Sequence, residues 1–141
     1  MKLLPLALLG CLLSLPTTAE DYEYRLNFGL FTDHYINDRA EYNEENHLVQ
    51  LTGVYEDRLL TGATFNNSHS VRSYLLGYGR ERRYNSDFRY GGYITVIKGY
   101  EGRVTTHYKG LLFTPTAYAN YKGFTINVMP AAYSIGIEID F

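Results

Sequence analysis

The sequence predicts an all-β fold, an eight-stranded antiparallel up-and-down barrel of the transmembrane kind. Three observations carry this expectation. Segments of period-two alternation recur along the chain, the connections between them are by turns long and short, and the final strand ends with Phe141 on its apolar face. Outer-membrane barrels have an even number of strands, short periplasmic turns and longer external loops. The composition agrees, with 15 Tyr and 13 Gly against 4 Pro and no Trp. A mean hydropathy of -0.25 does not argue against a membrane location, because only alternate residues of a barrel strand meet lipid.

The first residues read as a signal peptide covering 1–19, which leaves 20–141 as one barrel domain. Lys2 supplies the basic start, Leu3 to Leu15 an apolar run, and Pro16-Thr17-Thr18-Ala19 a cleavage site with small residues where they are needed. The run is too short for a helical span, which takes about 20 apolar residues. Cleavage after Ala19 removes Cys11, the only cysteine, and so excludes disulfides, thiol catalysis and cysteine-based metal sites in the mature chain. Leu8-Leu9-Gly10-Cys11 offers a competing pattern, a lipoprotein box that would lipidate Cys11. The apolar stretch before it is very short, and the later site has the better context.

Strand one is expected from about Tyr22 to Phe31. Tyr22, Tyr24, Leu26, Phe28 and Leu30 share one face, and Glu23, Arg25, Asn27 and Gly29 the other. After a long polar stretch, strands two (His47 to Tyr55) and three (Arg58 to Phe65) flank a tight Glu56-Asp57 turn. Strand four, Ser73 to Arg83, sets Tyr74, Leu76 and Tyr78 against a face containing Gly77, Gly79 and Glu81. Strand five runs from Phe88 to Ile97, strand six from Leu111 to Ala119, strand seven from Phe124 to Met129, and strand eight from Ser134 to Phe141. In the last, Ile135, Ile137, Ile139 and Phe141 suit lipid, while Ser134, Gly136, Glu138 and Asp140 suit a lumen. Closing strand eight on strand one puts Arg25 and Glu23 in the same lumen as Glu138 and Asp140, where Arg25 can neutralise an acid. A soluble sandwich shows similar alternation, but a terminal aromatic on the apolar face is the expected assembly mark of an outer-membrane barrel.

Chemistry, if present, belongs to the polar loops. His34 follows strand one, and Ser68 sits in Asn66-Asn67-Ser68-His69-Ser70 between strands three and four, at the same external rim. A histidine near a hydroxyl is the minimum equipment for general-base chemistry; the plainer alternative is that both are solvated loop residues. His47, His69 and His107 have no ligand-type spacing, so no metal is expected. The acidic run Glu41 to Glu45 reads as a solvated loop. Arg80, Arg82 and Arg83 lie at the periplasmic end of strand four, where interface anchoring is the ordinary explanation. Gly77 and Gly79 either open an apolar slot in the lumen or ease the curvature of a small barrel. A net charge of -2 without a basic run excludes nucleic acid as a partner.

Four patches resemble the lipid A palmitoyltransferases of the outer membrane. Phe65-Asn66-Asn67-Ser68 with the following Gly77-Tyr78-Gly79 looks like that family's catalytic loop and next strand. His34 with Tyr42-Asn43-Glu44 is similar to its first external loop, Pro115 and Pro130 to its prolines beside the last strands, and Phe141 to its terminus. The resemblance implies transfer of a palmitoyl chain from a phospholipid to lipid A, without a cofactor. It further implies His34 as base, Ser68 as hydroxyl partner, Gly77 and Gly79 along the acyl slot with Gly79 its floor, and Pro115 and Pro130 beside a lateral opening. The family has an aspartate where this chain has Asn67, and an amphipathic N-terminal helix with no counterpart here. Asn67 would orient the base or stabilise charge without carrying one. The alternatives are a non-catalytic barrel (structural, adhesin-like or an exclusion protein) and a lipid-ester hydrolase using the same residues with water. Every reading expects a monomer, delivered by the outer-membrane assembly machinery, with both termini periplasmic. A transferase demands an apolar cavity below His34; a lumen plugged by side chains favours the structural alternative.

Overall fold

The computed structural model describes residues 22–34, 45, 47–67, 69–99, 107–108 and 110–141. The expected signal peptide, Cys11, Ser68 and the Tyr42-Asn43-Glu44 patch lie outside them. The strands are β1 (Tyr22–His34), β2 (Val49–Tyr55), β3 (Arg58–Asn66), β4 (Arg72–Arg83), β5 (Phe88–Lys98), β6 (His107–Tyr108), β7 (Leu111–Tyr121), β8 (Phe124–Val128) and β9 (Ala132–Asp140). Each pairs antiparallel with its neighbour, β5 pairs directly with β7, and β9 pairs with β1, so eight staves close into a barrel. β6 is a two-residue addition. Because β5 already occupies one edge of β7 at Leu111 and Leu112, β6 must lie on the opposite edge, the one that β8 uses further along.

The expected alternation is borne out as two chemically different surfaces. Leu60, Leu76, Tyr78, Ile94, Phe113, Ile126 and Ile139 stand outward and exposed, whereas Arg25, Asn27, Thr61, Thr95, Asn120 and Thr125 point inward and are almost fully buried. This is the inverse of a soluble protein, which places its apolar side chains inside. Tight turns mark one end of the barrel, called here the turn end. Glu56-Asp57 joins β2 to β3, and Lys122-Gly123 joins β7 to β8 with both residues at positive φ, as a two-residue type I′ hairpin requires. At that end outward aromatics stack, Tyr22 on Tyr55 at 4.9 Å and Tyr24 near Phe141 at 6.4 Å. The backbone amide of Phe141 donates to the Tyr24 carbonyl at 2.9 Å, so the terminal residue takes part in closure.

Strand ends shift by a few residues from the expectation, and one shift changes chemistry. β1 extends to His34, paired with Ala132, and a bulge at Leu30 separates the pairs Gly29–Gly136 and Phe31–Ile135. An inserted residue reverses the facing of everything after it. Unbulged, His34 would share the outward face of Leu26 and Phe28. With the bulge it shares the inward face of its buried partner Ala132.

Candidate functional site

The turn-end half of the lumen is filled by one ionic network. Arg25, 1% exposed, sends its two terminal nitrogens to the Glu81 carboxylate on β4 and its Nε to Glu23 Oε1 at 2.8 Å. Tyr118 of β7 donates its hydroxyl to the same Glu81 carboxylate. Arg83 holds the other oxygen of Glu23 at 2.7 Å. Arg89 of β5 spans to β9, reaching Glu138 at 2.6 Å and Asp140 at 2.8 Å, and Asp140 stands 3.8 Å from Arg25. Arg25 therefore does neutralise acids, but its chief partner is Glu81 across the bore. Glu138, on the adjacent strand β9, is held by Arg89.

Polar pairs beside and above this network continue the filling. Tyr93 donates to Asn127 at 2.8 Å, Gln50 to Thr61 at 2.7 Å, and Asn120 to Thr125 at 2.7 Å. Val54, Leu59, Tyr93 and Tyr118 make a small apolar cluster within the same lumen. The cavity bounded by Arg25, Asn27, Thr52, Tyr93, Asn127 and Glu138 has about 10 Å³ to spare. That is room for about one water. Buried charges this well paired rigidify the barrel, and the loss of either partner leaves the other stranded.

Gly77 and Gly79 face this filled region. A Cβ on residue 77 would come within 2.8 Å of Thr61 Cγ2, 3.0 Å of Thr95 Cγ2 and 3.1 Å of Tyr93 Cδ2. On residue 79 it would run into the backbone of Gly92 and Tyr93. The absence of side chains lets β4 and β5 curl closely together, and the Tyr93 ring takes the space.

The loop end is built differently. Asn67, 1% exposed, uses both halves of its amide. Its Nδ2 donates to Ser73 Oγ at 3.0 Å and to the Gly99 carbonyl at 2.8 Å, and its Oδ1 accepts from the amides of His69 at 2.9 Å and Val71 at 3.1 Å. The side chain thus shapes the β3–β4 connection and ties it to the end of β5. An aspartate has no donors for Ser73 and Gly99, which is a physical reason for the amide here. His34 ends β1, and Asn67 follows the end of β3, with β2 between the two strands. Its neighbour Asp33 accepts from the Tyr133 hydroxyl at 3.0 Å.

Pro115 and Pro130 flank the stretch where, among the described residues, the ladder between β7 and β8 stops. The β7–β8 ladder ends at Ala117–Val128, and the β6 ladder begins at Leu112, so residues 113–116 have, among the described residues, a strand on their β5 side only. The pair Tyr121–Phe124 closes a two-residue hairpin and is therefore hydrogen-bonded, which points the odd-numbered peptide groups of β7 toward β8. Pro115 accordingly lacks its N–H on this edge, where a donor would meet no strand among the described residues. Pro130 lies in the β8–β9 connection, closed by the Met129 amide bonding Ala132 O at 2.8 Å.

Among the described residues, no three His, Cys, Asp or Glu side chains gather as a metal site. Glu81, Arg89, Tyr93 and Tyr118 are the residues that sequence reasoning underused. Period-two counting along β4, β5 and β7 puts all four inward, but it does not say which of them meet. No family model matches the chain, and no curated protein matches it.

Proposed function

We propose that this protein is an outer-membrane barrel with a sealed bore, a non-catalytic structural or exclusion component rather than a pore. The observation that carries this reading is the filled turn-end half of the lumen, where Arg25, Glu81, Tyr118, Arg89 and Glu138 are locked together and the cavity beside Arg25, Tyr118 and Glu138 leaves room for about one water. Insertion is supported by the outward apolar surface and the stacked aromatics at the turn end. Delivery through a cleaved signal peptide and the outer-membrane assembly machinery completes the reading. The test is single-channel recording of the refolded barrel in a planar bilayer. Insertion without conductance is expected; steady ion-sized openings would sink the proposal.

A second reading is favoured by two observations at the loop end: the bulge turns His34 inward, and among the described residues β7 has no partner on its β8 side beside Pro115. In it the barrel is the acyltransferase that the resemblance implies. His34 takes the proton of a lipid A hydroxyl, which attacks the ester carbonyl of a phospholipid. The phospholipid C–O bond breaks, and the lysophospholipid leaves with the proton. Ser68 and Asn67 would support the base, lipid would enter beside Pro115 or Pro130, and the acyl chain would lie against Gly77 and Gly79. That requires Tyr93 to swing away from the glycines. With water as acceptor the same residues would release a fatty acid. Mass spectrometry of lipid A from cells with and without the protein decides between the readings. Added palmitate that a His34→Ala variant abolishes would establish the transferase, and an unchanged pattern leaves the sealed barrel.

A further inference from the structure

The turn end carries a second group of arginines that the lumen does not use. Arg25, Arg83 and Arg89 are engaged by carboxylates in the network described above. Arg58, Arg80 and Arg82 instead lie exposed on the outward surface. Arg58 on β3 stands directly opposite Arg80 on β4, and Arg82 is the next outward residue along β4. Like charges placed directly across a ladder repel and destabilise it. Among the described residues, the ion pair these three make is Arg80 with Asp57 at 3.4 Å, in the adjoining turn. Glu56 is the other acid of that turn, so three guanidiniums face at most two carboxylates, both exposed.

The surroundings show what the surplus charge suits. One step toward mid-barrel, Leu60 and Tyr78 form the next outward pair, followed on β5 by Ile94, the partner of Tyr78. All three are more than half exposed, at 57%, 56% and 57%. Beside Arg80 the ladder continues through Gly92 to Ala117, two residues with almost no side chain. A Cβ at Gly92 would find only the Thr116 carbonyl nearby, at 3.3 Å, so the surface there is low and open. Tyr90, opposite Arg82, borders this depression on the turn side. A cationic cluster thus sits immediately below an apolar strip, over a shallow floor.

We propose that Arg58, Arg80 and Arg82 bind the head-group phosphate of an anionic phospholipid, whose acyl chains lie along Leu60, Tyr78 and Ile94. Guanidinium groups grip a phosphate through paired N–H donors. The site is a surface bay continuous with the apolar strip, a shape suited to a head group with attached chains. The excess of positive charge selects an anionic head group over a zwitterionic one. The inference rests on the reading that the barrel is membrane-inserted, with its turn end toward a phospholipid leaflet.

The test refolds the full barrel into vesicles of phosphatidylcholine with and without phosphatidylglycerol, then counts the lipids retained after extraction by native mass spectrometry. The wild type is expected to retain phosphatidylglycerol in preference to phosphatidylcholine. Each arginine replaced, as in Arg58→Gln, Arg80→Gln or Arg82→Gln, should lower that preference by about fivefold. Equal retention of the two lipids by the wild type would overturn the site, as would undiminished preference in the triple variant. If the triple variant does not refold, the wild-type preference and the single Arg82→Gln variant decide. A barrel that enters neither vesicle overturns the membrane reading, an outcome distinct from an inserted barrel with no lipid preference.

Discussion

The two ends of this barrel are held by different physics. At the turn end, charges cross the bore: Arg25 joins β1 to β4 through Glu81, and Arg89 joins β5 to β9 through Glu138. At the loop end a neutral amide, Asn67, ties one connection to the neighbouring strand, and the β7–β8 ladder is left unfinished. The first arrangement spans the lumen and couples distant staves. The second works along the wall and constrains only adjacent elements. The cross-bore arrangement therefore concentrates rigidity where β9 closes on β1.

The sharpest way to break this contrast is at Arg25. Replacing it with Met leaves Glu81 and Glu23 buried or half-buried without their cation, and should cost about 3–5 kcal/mol. Urea unfolding of the refolded barrel, followed by its heat-modifiable mobility, measures this. Adding Glu81→Gln should restore a large part of the loss, since no stranded charge then remains at that position; a double variant as unstable as the single would refute the pairing. The next effect in size is at the glycines. Gly79→Ala forces a methyl into the β5 backbone and should destabilise by about 1–3 kcal/mol. Gly62→Ala, whose nearest neighbour would be the Leu75 carbonyl at 3.9 Å, should change stability little by comparison.

At the loop end, Asn67→Asp replaces two donors with acceptors aimed at Ser73 and Gly99. It should cost about 1–2 kcal/mol and raise amide exchange at His69 and Val71 while leaving the turn end protected. The smallest effect is expected at the open edge. Pro115→Ala restores an N–H that has no opposing strand among the described residues, and should shift stability by less than about 1 kcal/mol. A large loss there would mean that the edge is closed more firmly than its ladder indicates.

Much of this architecture was legible from residue order alone. The strands expected at Tyr22 to Phe31 and Ser134 to Phe141 alternate so regularly that their faces could be read directly, their pairing followed from closing the barrel, and the structure pairs them as β1 and β9. Gly77 and Gly79 were placed on the lumen face correctly, but what fills their space comes from Tyr93 on another strand. Asn67 stood out only as a departure from a resembled pattern. Its four hydrogen bonds, reaching as far as Gly99, involve partners that no local spacing identifies.

Period-two alternation is a local property of an extended chain, so the sequence by itself determined the strands, their two faces and the apolar exterior. It also placed Arg25 and Glu81 in a common lumen. Only closure of the barrel decided that these two would meet, because a contact across the bore depends on the stagger of all eight staves together. The same holds for His34, whose facing turns on a single inserted residue at Leu30. A bulge is defined by the strand opposite, so its effect on His34 exists only once β9 lies beside β1.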